Sequence, residues 1–330
     1  MLLGLLLMAA LFVPLPYEIV SPGGANDLTG LINVKGATAT RAKGSVLFVT
    51  VGVRDHVTAL ELFAAWASPD RDFYRLKDVR GTLTDKQIQQ LNTALMSDSK
   101  LLAEAVAIRY AGPTAPKSNG AQVSVVIPDK PAAAILKVHD VIVAIDGKPV
   151  AATECAVTDI RAHKPGDKIT VAFLRDGKQQ TAMATLAAGP QSTPQLGVQL
   201  ETKFQSGFNV EIDSGLVTGP SAGLAYALEL LDVLTPGELT GGARVAATGE
   251  LGADGNGKVE PIGGEAEKAA TLRHKNVAMF IVPRENYAKA KAHAGKLKVV
   301  PVDTFEDALR ALATLPGSNA GQYLRASTPC

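Results

Sequence analysis

Residues 208–234 constrain this chain more than any other stretch. Phe208, Val210 and Ile212 alternate with Asn209, Glu211 and Asp213, which predicts a strand. Ala222 to Leu234 is apolar nearly all round, which predicts a buried helix. Between them lies Thr218-Gly219-Pro220-Ser221-Ala222-Gly223. Gly219 and Gly223 allow a sharp turn and a close approach of backbone to a ligand. Pro220 suits a first helical turn, where no N–H is needed. A serine on such a turn exposes its hydroxyl, and the free N–H groups of the helix start can stabilise an oxyanion. The competing reading of Ser221 is a simple helix cap.

A serine nucleophile needs a base, and a lysine can serve in place of histidine. It does so only when neutral, so its pKa must fall from about 10.4 to roughly 7–8. That is about 4 kcal/mol, within reach of burial among small apolar residues. Lys268 lies one turn into a second predicted helix, after Pro261-Ile262-Gly263-Gly264-Glu265-Ala266-Glu267. Gly264, Thr271 and Leu272 share its helix face, and none is an anion that would hold it charged. Glu267 is adjacent in sequence but off that face. The competing reading of Lys268 is a solvated surface lysine.

Five ordered blocks carry a family resemblance: Gly219 to Gly223, Leu239-Thr240-Gly241-Gly242, Ala247-Thr248-Gly249-Glu250-Leu251, Pro261 to Gly264, and Glu267-Lys268. Together they resemble the serine-lysine protease domain of Lon, peptidase family S16. The resemblance implies that Ser221 and Lys268 form a catalytic dyad and that Thr248 hydrogen-bonds the lysine. Gly219, Pro220, Gly263 and Gly264 would shape the two loops. Thr218 departs from the family, whose ATP-dependent members carry an acidic residue there.

With 33 basic and 32 acidic residues in 330, nothing argues for a nucleic-acid partner. Cys155 and Cys330 make no metal motif and no disulfide framework, and the five histidines lack ligand spacing, so no metal site is expected. Gly252-Ala253-Asp254-Gly255-Asn256-Gly257-Lys258 approaches a phosphate loop, but Val259 stands where Ser or Thr is required. Asp-Gly and Asn-Gly read there as a hairpin turn. No ATP or other cofactor is expected.

Met1 to Val13 has no polar residue, yet is shorter than the roughly 20 residues that span a bilayer. A signal-anchor, a secretory apolar region and a buried helix all fit, and the anchor over 1–17 is the expectation adopted. In 18–112, Val46 to Val51 predicts a strand buried on both faces. Helices are expected at 58–67 and 84–110, with Thr84 and Gln87 forming a capping box. Trp66, Leu91, Leu95, Leu102 and Val106 are expected in the core.

Residues 113–192 open on a Pro- and Gly-rich linker. Gly120-Ala121, Pro131-Ala132-Ala133, Lys137 to Ile142 and Asp146 to Val150 resemble a PDZ domain of the protease-associated type. Such domains bind a peptide by adding it as a strand, which would place it along Val123, Val125 and Ile127. His139 departs from the family's glycine, and no glycine loop for a terminal carboxylate precedes Val123. Segment 193–316 completes the protease domain, its last helix capped by Thr304 and Asp307. The tail 317–330 is expected to be disordered.

The expected fold class is thus α/β (α+β): a Lon-type proteolytic domain with an inserted PDZ domain, preceded by an N-terminal hydrophobic helix. The whole chain is similar to the membrane-anchored, PDZ-containing Lon-like proteases of bacteria. That resemblance implies an ATP-independent serine endopeptidase acting on unfolded or exposed peptide segments at the outer face of the cytoplasmic membrane, and a homo-oligomeric ring. One rival is a Ser-His hydrolase, since Gly219-x-Ser221-x-Gly223 also fits a nucleophile elbow with His274 or His293 downstream. The other is a PDZ scaffold with a silent protease domain.

Overall fold

The computed structural model describes residues 12–35, 43–111, 118–189, 192–204, 209–215, 217–252 and 256–325. The first segment holds β1 (Tyr17–Asp27), β2 (Ile32–Lys35), β3 (Ser45–Asp55), α1 (Ala59–Trp66), β4 (Asp72–Arg75), α2 (Leu76–Arg80) and α3 (Asp85–Ala111). An inserted module follows: β5 (Ser118–Val126), β6 (Val141–Ile145), β7 (Lys148–Pro149), α4 (Thr153–Arg161), β8 (Lys168–Arg175), β9 (Lys178–Thr185), β10 (Ala187–Ala188), β11 (Pro194–Gln195) and β12 (Val198–Phe204). The last segment holds β13 (Asn209–Ile212), α5 (Gly223–Leu234), β14 (Arg244–Ala247), β15 (Glu250–Leu251), β16 (Val259–Glu260), α6 (Glu265–Leu272), β17 (Met279–Pro283), α7 (Tyr287–His293), β18 (Val299–Val302) and α8 (Phe305–Leu312).

The two outer segments share one mixed sheet, in the order β18-β17-β14-β3-β1-β4. β3, β14, β17 and β18 run parallel, while β1 is antiparallel to β3 and β4. The period-2 alternation of a strand explains why Val46 to Val49 of β3 are all apolar, since both faces are covered there. Val46 and Phe48 enter a core with α3, α5 and α8, and Leu47 and Val49 enter a second core with α6 and α7. The chain is therefore helix–sheet–helix layered, and the double burial expected of Val46 to Val51 holds over Val46 to Val49, while Thr50 and Val51 are half-buried. β13 pairs with β2, so the strand expected before Ser221 is present over Asn209–Ile212; Phe208 lies outside the described residues.

The helix signals hold where they are local. Thr84 and Gln87 cap α3 reciprocally, as do Thr304 and Asp307 for α8. Burial is where expectation and structure part. Trp66 is 69% exposed and Leu91 is 47% exposed. α1 makes its apolar contact with the fold through Ala65 and Leu62, and α3 buries side chains only from Met96 onward, at Met96, Ser99, Ala103, Val106, Ala107, Tyr110 and Ala111. Its first three turns reach past the core.

The inserted module has its own sheet, β12-β5-β6-β8-β9, with β7 paired to β6. Asp146 and Gly147 both take positive φ, at 48° and 78°, as a two-residue hairpin turn demands. The module extends further than the expected boundary at 192, because β12 pairs with β5 from Val198 to Phe204. The Pro- and Gly-rich linker falls mostly on 112–117, outside the described residues.

One terminal expectation falls outside the described residues and the other is corrected. No helix among the described residues is long and apolar enough to cross a membrane; residues 1–11 of the expected N-terminal hydrophobic helix lie outside them. At the other end, residues 317–325 are packed rather than disordered. Ala320–Arg325 forms a 3-10 turn with Ala320 and Tyr323 buried, and Asn319 Nδ2 donates to the Pro236 carbonyl at 2.7 Å. These partners lie some eighty residues upstream, where no local pattern can reveal them. Residues 326–330, Cys330 included, lie outside the described residues.

Candidate active site

Three loops converge at the carboxyl end of β14, the edge where parallel strands of an α/β sheet present their sites. The first is the turn before α5. Gly219 has a φ of 94°, in the left-handed region where glycine is favoured, and its N–H donates to the Asn92 carbonyl at 3.0 Å. The Pro220 carbonyl accepts from Ser99 Oγ at 3.0 Å and from the Gly223 N–H at 3.2 Å. A Cβ at Gly223 would stand 2.8 Å from Ser99 Oγ, so a small residue is needed for α3 to approach. Ala222 is the N-cap of α5, without a side-chain capping bond. Ser221 is therefore not a helix cap, and its hydroxyl is free for other work.

The second loop follows β14. Thr248 is fully buried, and its N–H continues the sheet by donating to Ile281 O at 3.0 Å. Its hydroxyl donates to the Ser221 carbonyl at 3.0 Å. The Gly249 N–H donates to the same carbonyl at 2.9 Å. The Ser221 carbonyl is thus held from two sides, which fixes the backbone that carries its hydroxyl. The Ser221 N–H itself has no backbone acceptor among the described residues and is available for an oxyanion.

The third loop, Pro261 to Gly264, launches α6. Gly264 has a φ of 73°, and a Cβ there would stand 2.6 Å from Val51 Cγ1, so only glycine fits. Nothing in the structure requires glycine at Gly263. Asn286 clamps this loop, accepting from the Ile262 N–H at 2.9 Å and donating to the Ile262 carbonyl at 2.8 Å. α6 then carries Lys268 inward, 2% exposed. Its Nζ–H donates to Ser221 Oγ at 2.8 Å and to Thr248 Oγ1 at 3.0 Å. Desolvation pushes the Lys268 pKa down to about 8, against smaller upward pulls from Glu265 and Glu267. Both are in the first turn of α6, but neither contacts the amine. The solvated-surface reading of Lys268 fails on burial alone.

Neither histidine of the rival hydrolase reading stands at Ser221. His293 faces Asp70 at 3.4 Å, and His274 is exposed on the surface. Asn286, Ser99 and Asn92 were not singled out from the sequence. Ser99 and Asn286 act on partners more than twenty residues away and Asn92 acts through its backbone carbonyl, so no local pattern marks them. Beside Pro220, a cleft lined by Leu95, Leu102, Leu251, Asp98, Glu250 and Glu260 opens next to the serine.

A family model described as the Lon protease (S16) C-terminal proteolytic domain matches residues 161–314. The chain carries a Lon-type proteolytic domain. A PDZ domain model matches residues 97–186, and the overlap of the two matches falls inside the sheet of the inserted PDZ module. A Lon protease of Trichlorobacter lovleyi is 32% identical over 150 residues, 43% of this chain and 18% of that protein. Lon protease 2 of Thermus thermophilus is 31% identical over 123 residues, 37% of this chain and 15% of that protein. These matches span less than a fifth of either relative. The crystal structure of the PDZ domain of an SdrC-like protein from Listeria monocytogenes is 29% identical, covers 25% of this chain and 87% of that one, and has a TM-score of 0.24.

Within the PDZ module the expected peptide site is corrected. Val123 and Val125 lie on β5, which is hydrogen-bonded on both sides, to β12 and to β6. The Ile127 N–H is also taken, by the Gly197 carbonyl at 2.9 Å. A peptide cannot be added there. β12 lies at one edge of the sheet and β9 at the other; in β12, Val198 and Leu200 face the module's core, and Thr202 meets Thr153 at the start of α4.

Proposed function

We propose that this protein is a serine endopeptidase in which Ser221 is the nucleophile and Lys268 its general base. The observation that carries the reading is the 2.8 Å contact between a 2%-exposed lysine amine and a serine hydroxyl. The neutral amine takes the Ser221 proton as Oγ bonds to the scissile carbonyl carbon. The Ser221 N–H receives the oxyanion. Collapse breaks the C–N bond, and the Lys268 ammonium returns the proton to the leaving amine. The resulting acyl-enzyme is hydrolysed when Lys268 draws a proton from water and Ser221 departs as the hydroxyl.

The test is cleavage of casein and of a short peptide by wild type, Ser221→Ala and Lys268→Ala across pH. Activity should rise through about pH 8 as the amine loses its proton, with both variants inactive. An active Lys268→Ala protein refutes the dyad, and an inactive wild type supports the silent scaffold.

Four further parts of the reading go with it. The substrates are unfolded segments or exposed termini, taken without ATP, a reading in keeping with Val259 standing where the Gly252–Lys258 stretch would need Ser or Thr to hold a phosphate. The PDZ module presents them along β12. The apolar run 1–13 holds the chain at a bacterial cytoplasmic membrane, as a single pass with the catalytic part outside. Copies assemble as a ring. Carbonate-resistant fractionation with intact-cell protease accessibility tests the third part.

A further inference from the structure

α1 turns apolar side chains outward. Leu60, Phe63 and Trp66, three residues apart in turn, are 53, 62 and 69% exposed, and the Phe63 and Trp66 rings lie 5.7 Å apart. The opposite side holds the helix to the fold, through Ala65 and Leu62 against Ile19, Val57 and Tyr17. None of the three outward residues joins a hydrophobic core among the described residues. The chain reaches this helix from an apolar run, since Met1 to Val13 has no polar residue. Phe12 and Val13 are 71 and 51% exposed. The Leu15 N–H donates to the Val57 carbonyl at 2.8 Å, which pins the end of that run beside the start of α1.

We propose that α1 is an interfacial helix whose Leu60–Phe63–Trp66 face seats in the headgroup–acyl boundary of an anionic lipid surface. The proposal rests on the membrane location argued above and adds a second contact, made by the catalytic domain itself. Three observations favour lipid over a second copy of this chain. The face offers on the order of 400 Å², the size of a functional surface patch, against about 800 Å² per partner in a stable protein interface. Phe and Trp on one face with basic residues at the border is the composition of a helix lying in a bilayer interface. Here exposed Arg54 stands at that border, bridged to Glu61 at 2.9 Å. The patch is also continuous with exposed Phe12 and Val13, the described end of the apolar run, which the Leu15–Val57 hydrogen bond holds beside the start of α1.

Trp66 is the chain's one tryptophan, so its emission reports this face directly. The full chain is mixed with phosphatidylglycerol–phosphatidylcholine vesicles, with and without acyl-chain bromine. The expected result is a blue shift of Trp66 emission and quenching by the brominated lipid. A Leu60→Ser/Phe63→Ser double variant should bind vesicles about tenfold more weakly, with lipid-free peptide cleavage unchanged as the check on folding. Co-sedimentation with water-exposed Trp66 emission overturns the α1 contact and leaves the N-terminal anchor standing. A blue shift that grows with protein concentration without vesicles makes the occupant a second copy and overturns the lipid assignment. No co-sedimentation at all removes both readings.

Discussion

At 2% exposure Lys268 has lost nearly all its hydration, and no carboxylate contacts it in compensation. Its fall from 10.5 to about 8 corresponds to about 3 kcal/mol of penalty on the charged form. Folding bears that penalty in full below about pH 8 and escapes it above 10.5, because in between the unfolded chain binds the proton and the folded one does not. Lys268→Met should therefore raise stability to urea at pH 7, with a gain that shrinks toward pH 10.5. A less stable variant at pH 7 would mean that the hydrogen bonds to Ser221 and Thr248 outweigh desolvation. Thr248 gives a second test. Thr248→Val removes an acceptor for the amine and a donor to the Ser221 carbonyl, which should lower kcat roughly 10- to 100-fold. Thr248→Ser should retain most of the rate; a loss in Thr248→Ser larger than that in Thr248→Val would make the methyl's packing, not the hydroxyl, the cause.

At the scale of elements, α5 is buried all round and yet carries two acids. Glu229 is 6% exposed, accepts from the Val46 N–H at 3.1 Å, and is pushed up to about 8, chiefly by desolvation. Asp232 accepts from the Leu239 N–H at 2.8 Å and rises to about 6 for the same main reason. A carboxyl raised in the folded state costs nothing below its ordinary range and most above its folded pKa. Glu229→Gln, which keeps an acceptor for Val46, should thus gain stability over wild type as pH rises from 5 to 8, by up to a few kcal/mol. Chemical denaturation at both pH values reads this, and a gain that does not grow with pH contradicts it. In the PDZ module, exposed His139 holds a φ of 76°, which explains why a glycine is usual there. His139→Gly should stabilise the module by about 0.5–1 kcal/mol, strain relief outweighing the added chain entropy.

Across the whole molecule, the PDZ core of Val123, Ile142, Ile169 and Phe173 shares no residue with the two cores flanking the large sheet. Separate cores unfold separately unless an interface couples them. Calorimetry should show two transitions, and Phe173→Ala should lower one of them alone, by about 3–5 kcal/mol of its stability. A single transition that shifts as a whole would show the two units to be coupled.

The sequence by itself determined the chemistry of the site. The turn at Gly219–Gly223, the launch at Gly264 and the caps at Thr84 and Thr304 are local, because each is dictated by backbone torsion or by a partner three or four residues away. Serine and lysine in those settings were legible before any fold was known. The tertiary structure decided what depends on distant partners. It put Trp66 outside and Glu229 inside, paired β5 on both sides and left β12 at an edge of its sheet, packed residues 317–325 against Pro236, and brought Asn286 and Ser99 to the loops around Ser221 and Lys268. Which face of an amphipathic segment is covered, and which edge of a sheet stays open, follows from what the rest of the chain leaves room for, and no short window of residues contains that information.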